Sequence, residues 1–123
     1  MNKQDILNAV CSYYRITPLE LFKRGRKKEI VLKRQIATYL LLTDTKGTLD
    51  DCLNFIYDAS TELYTHSTII YSRDAIYSDI QHYPSVTKSV NEIRELYPKK
   101  PFEYLKFQNS TISNINYSYL MKG

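Results

Sequence analysis

Three glycines, two cysteines, no tryptophan and no long apolar run set the first limits on this chain of 123 residues. So little glycine argues against a turn-rich β-fold and against a glycine-lined phosphate cradle. The one candidate spacing, Gly25 to Gly47, fits neither G-x-x-x-x-G-K-[ST] nor G-x-G-x-x-G, so no nucleotide is expected to bind. Cys11 and Cys52 stand 41 residues apart, without a second Cys or a His at metal-ligand spacing. Both read as small core hydrophobes, and neither a metal nor a cofactor is expected. The longest strongly apolar piece is Tyr39-Leu40-Leu41-Leu42, and the amino terminus carries no apolar signal region. A cytoplasmic protein without a membrane partner is the expectation. His66 and His82 fall on one predicted helix with no carboxylate pair beside them, so no catalytic residue is assigned and no enzyme is read.

What the chain does have is tyrosine and a concentrated positive charge. The 12 Tyr mostly stand beside Ile and Leu at helical spacing, which predicts core or half-buried packing in preference to base stacking. From Lys23 to Gln35, seven residues are Lys or Arg and one is acidic, a local charge of +6 in a chain of only +4. The rest of the molecule is therefore slightly negative. A focused cluster of this kind attracts a polyanion and releases its counterions. A solvated charged face or a localisation signal accounts for the same run.

Apolar spacing and end signals divide the chain into helices. Ile6, Val10, Tyr13 and Tyr14 share one face of a helix over about 3–14. Thr17-Pro18-Leu19-Glu20 reads as a capping box opening a short helix over about 18–22 that ends near Gly25. The basic segment is then a loop feeding a central, mostly buried helix over about 28–43. Asp44-Thr45-Lys46-Gly47 stops it, and Thr48-Leu49-Asp50-Asp51 opens another that runs to about Tyr57. Residues 58–62 read as a connector, 65–82 as a further helix, and Val86 to Tyr97 as the last. The class is all-α, with a domain over 1–97 and a weakly structured or partner-docking extension over 98–123. The pair 48–57 and 65–82 is a candidate helix-turn-helix, because Thr65, His66, Ser67 and Thr68 occupy the turn where a recognition helix meets base edges. The same four residues also suit a simple helix cap.

Several of these segments resemble the carboxy-terminal DNA-binding domain of the bacterial replication initiator DnaA. They are the aromatic-ended first helix, the Pro-Leu-Glu-Leu helix, Lys23 to Val31, and Arg34 to Leu40. Thr65-His66-Ser67-Thr68-Ile69-Ile70 is similar to that family's Asp-His-Thr-Thr-Val-Leu signature. The resemblance covers about 4–97 and is most specific over 19–42. It implies an all-α helix-turn-helix domain that binds double-stranded DNA at A·T-rich sites. By position, Arg26 matches the arginine that enters the minor groove, and His66, Ser67 and Thr68 match the base- and phosphate-contacting turn, with Thr65 before them. Lys23, Lys27, Lys28, Lys33 and Arg34 supply or support phosphate contacts, Arg24 counts with them among the DNA-binding residues, and Leu49 matches a position against the DNA backbone and a base methyl. The chain departs from the pattern at Glu62-Leu63-Tyr64-Thr65, where Tyr64 replaces a base-reading arginine, and at Asp50-Asp51, which replace Pro and Glu.

The expected function is sequence-preferring duplex binding in replication-initiation or transcription control, without an ATPase module. A free-standing reader domain of this kind suits a phage or other mobile element and recruits a protein partner through 98–123. The departures at 62–65 and 50–51 favour the alternative, a protein-interaction module that has kept the fold and lost base reading.

Overall fold

The computed structural model describes residues 1–25 and 27–98, and the chain is all-α over them. Helix α1 spans Lys3–Tyr14, α2 Pro18–Phe22, α3 Lys28–Thr43, α4 Leu49–Ser60, α5 His66–His82 and α6 Pro84–Glu95. Arg26 and the extension beyond Pro98 lie outside the described residues.

The starts of these helices follow from side chains that satisfy backbone donors. Asn2 accepts from the Asp5 amide at 2.8 Å to open α1. Thr17 and Glu20 close the capping box on α2, and Thr48 and Asp51 close another on α4. These bonds, from the Thr17 and Thr48 backbone in the first place, hold the Glu20 and Asp51 carboxyls below the usual range. Before α4 the backbone turns at Gly47 with φ 126°, and an added Cβ there would lie 2.7 Å from the Asp51 carboxylate. Gly25 has neither property: nothing lies within 4 Å of its notional Cβ. The short helix accordingly ends at Phe22 through its own Lys23 cap, not at the glycine.

Helix α3 is the axis of the fold. Its residues Ile36 to Leu41 are all buried, as expected for a helix covered on every side. It packs on α5 and α1; α2 lies against α4, and α6 against α5 and α1. Ile6, Val10, Phe22, Leu40, Ile56, Ile76 and Ile93 close the common core from all six helices. Cys52 is buried there, which pushes its thiol to about 11, and Cys11 is half-buried.

Two expectations are corrected. The first helix of the motif runs to Ser60 instead of Tyr57, because Ala59 and Ser60 pack inward and the Ser60 hydroxyl donates to the Ile56 carbonyl at 2.6 Å. The connector is therefore residues 61–65, opened by Thr61 in the left-handed region at φ 62°. Tyrosine does not uniformly join the core. Tyr13, Tyr14, Tyr39, Tyr64 and Tyr97 pack on it, but Tyr57, Tyr71, Tyr77 and Tyr83 are exposed, since they fall on the outer faces of α4 and α5 or at the α5–α6 corner.

Candidate nucleic-acid interface

The basic segment and the connector into α5 are far apart in sequence and tied together in space. The tie centres on Tyr64. Its hydroxyl donates to the Phe22 carbonyl at the end of α2. Its ring centre lies 5.0 Å from the Arg24 guanidinium and 6.0 Å from that of Arg34, which comes from α3. Arg24 also donates to the Leu63 carbonyl and stands 3.7 Å from Glu62. Arg34 donates to the Lys23 carbonyl at 2.8 Å. Burial pushes the Tyr64 hydroxyl pKa up, and the charges of Arg34 and Arg24 pull against it.

A second tie joins the first turns of α4 and α5. His66 Nε2 lies 2.6 Å from Asp50 Oδ1, both side chains being well exposed. Thr65 caps α5 by accepting from the Thr68 amide at 3.2 Å, and the two threonine hydroxyls lie 3.1 Å apart. Ser67 is exposed beside them, and Leu49 is half-buried against the core. The cap and the exposed polar turn are thus the same residues.

The expected site residues divide by their surroundings. Lys23, Lys27 and Lys28 are exposed and make no ion pair among the described residues. Arg24 and Arg34 already donate to backbone carbonyls, and Lys33 lies over the Tyr14 ring at 5.2 Å, facing α1. Tyr64, Glu62 and Asp50 were not among the expected site residues, yet they organise the surface. Their partners stand 16 to 42 residues away, so no local spacing announces them. Charge is divided as well: against the +6 of residues 23–35, residues 44–98 hold nine acidic and four basic side chains, or −5. Among the described residues no group of three or more His, Cys, Asp or Glu is placed to hold a metal ion. No described helix is long and apolar enough to cross a membrane.

Residues 3–76, from the first turn of α1 into α5, match the family described as bacterial DnaA protein helix-turn-helix. The chain belongs to that family. Among its relatives, the chromosomal replication initiator protein DnaA of Chlorobaculum tepidum is 35% identical over 92 residues, which are 75% of this chain and 18% of that protein. DnaA of Chloroflexus aurantiacus is 30% identical over 95 residues, 77% of this chain and 19% of the relative. DnaA of Thermomicrobium roseum is 56% identical over a shorter stretch of 36 residues, 29% of this chain and 8% of that protein. The chain thus spans less than a fifth of the length of these curated relatives. Within this DnaA-type domain α4 and α5 follow one another, joined by residues 61–65.

Proposed function

We propose that this chain binds double-stranded DNA with a sequence preference and serves replication-initiation or transcription control. The observation that carries the reading is the joining of an exposed basic loop to the exposed first turn of α5 within a DnaA-family domain. Lys23, Lys27 and Lys28 contact phosphates, with Arg24, Lys33 and Arg34 in support. Arg26 enters an A·T-rich minor groove, whose narrowness deepens the potential that attracts a guanidinium. His66, Ser67 and Thr68 meet base edges and phosphates in the neighbouring major groove, and Leu49 abuts the backbone. The domain occupies 1–97, and 98–123 is left for a partner.

Selection of bound duplexes from a random-sequence pool tests this. An enriched motif bound more weakly as salt rises is the expected result. No enrichment and no duplex binding at about 50 mM salt would sink it. That outcome would leave a protein-interaction module, the reading favoured by one observation: Asp50 holds the His66 ring and adds negative charge at the proposed DNA face.

A further inference from the structure

Among the described residues, the hydrogen bonds and ring contacts that tie the basic loop to the chain leading into α5 are made by the segment 62–64, where the Tyr64 side chain touches α2 and both arginines. Its hydroxyl is occupied by a backbone carbonyl and its ring by guanidinium groups, so it has little left to offer a base. Its effect must come through what it holds still.

We propose that Tyr64 is a positioning residue: it locks the basic loop and the first turn of α5 into one rigid reading unit, and sequence preference depends on that lock. The proposal rests on the duplex-binding reading above. The physical reason is a difference in tolerance. Phosphate contacts are largely Coulombic and survive a displacement of an ångström or so, because the attraction falls off slowly with distance. Base contacts need directional hydrogen bonds, held within roughly 0.5 Å of the productive geometry. Two elements on one frame engage both grooves in register, and the second engagement is then intramolecular. On a loose frame each still finds phosphates, but the loop must be ordered at every encounter.

Loosening the lock should therefore reduce discrimination while leaving general affinity alone. The test compares the parent with Tyr64→Phe, which keeps the ring and removes the hydroxyl, and Tyr64→Leu, which removes both. Binding to a selected duplex and to a scrambled one is followed by fluorescence anisotropy across a salt series, with thermal melting of each protein alongside. The selected duplex should be bound roughly 3–10-fold more weakly by Tyr64→Phe and roughly 10–100-fold more weakly by Tyr64→Leu. The scrambled duplex should be bound as by the parent, with the same salt slope. The proposal is overturned if Tyr64→Leu binds both duplexes like the parent, or weakens on both in equal measure as general destabilisation would cause. Should Tyr64→Leu fail to fold, Tyr64→Phe decides on the same two measurements. A parent that binds no duplex sinks the proposed function and this lock together; a binding parent with unchanged variants sinks the lock alone.

Discussion

Asp50 shows how one side chain can serve the fold of a surface and oppose its function. It stands in the first turn of α4, where a negative charge is favoured by the helix dipole, and it holds His66 at 2.6 Å. On the proposed duplex-binding reading, the same charge faces the phosphates. Asp50→Asn keeps an acceptor for His66 and removes the charge, so duplex affinity should rise without a change of preferred sequence. A gain of roughly two- to threefold on selected and scrambled duplexes alike is expected from one unit charge some 6–10 Å from a phosphate in water. A changed motif in a repeated selection would instead mean that the Asp50 charge sets how His66 reads. Neither this pair nor the Tyr64 contacts were legible in the sequence. The Thr17–Glu20 box and the Thr48 hydroxyl cap were, because a cap is a local pattern within four residues, whereas Asp50–His66 and Tyr64–Phe22 exist only once the helices have packed.

The helices themselves were mostly legible, since each is framed by a cap, a proline or an apolar stripe. The exceptions are α6, which runs Pro84–Glu95 where Val86 to Tyr97 was expected, and the end of α4. Asp58, Ser60, Thr61 and Glu62 look like a turn by composition, and nothing in the sequence says that Ala59 and Ser60 are covered by the core. The helix therefore continues until Thr61, where it ends in a left-handed residue without the glycine that usually occupies such a place. A β-branched side chain is poorly suited to this conformation. Thr61→Gly should relieve the crowding and, after the entropy that glycine loses on folding, stabilise the protein by roughly 0.5–1 kcal/mol. Thermal unfolding checks this, with a melting point a few degrees above the parent as the expected result. A lower melting point would mean that the Thr61 hydroxyl, which donates to the Ser60 carbonyl at 2.5 Å, contributes more than the strained backbone costs.

At the scale of the molecule, α6 is fastened to the end of α3 by one carboxylate. Asp44 accepts from Arg94 twice, at 2.9 Å each, and from the Tyr97 hydroxyl at 2.7 Å. Burial alone would push the Asp44 carboxyl up; the bonds from Arg94 and Tyr97 and the Arg94 charge outweigh it and hold the carboxyl below its usual range. A depressed carboxyl contributes stability that is present above the unfolded value of about 4 and disappears as pH falls through the folded one. Asp44→Asn should therefore be less stable than the parent by about 1–3 kcal/mol near pH 7. The gap should close as unfolding is repeated at pH values below about 4. A gap that stays constant down to about pH 2.5 would remove the ionised carboxylate from the account.

On the proposed duplex-binding reading, the exposed lysines act at this same scale, through the total charge delivered to a duplex. Replacing Lys27 and Lys28 by Ala should weaken binding to every sequence equally. The slope of log K against log salt should become shallower by roughly 0.9 for each phosphate that is no longer neutralised. An unchanged slope would turn this edge of the protein away from DNA.

On the proposed duplex-binding reading, the concentration of +6 over residues 23–35 also governs events before the protein and a duplex touch. Where the exposed lysines of residues 23–28 concentrate positive charge, the field of a polyanion exerts a torque on the molecule during diffusion. The protein should turn its basic edge inward while still separated from the duplex, and arrivals in the wrong orientation are repelled before they stick. Such steering raises the association rate well above that of an unsteered encounter and leaves the dissociation rate to the short-range contacts. Added salt should then act first on how fast the complex forms, and stopped-flow mixing at two ionic strengths would separate that effect from its lifetime.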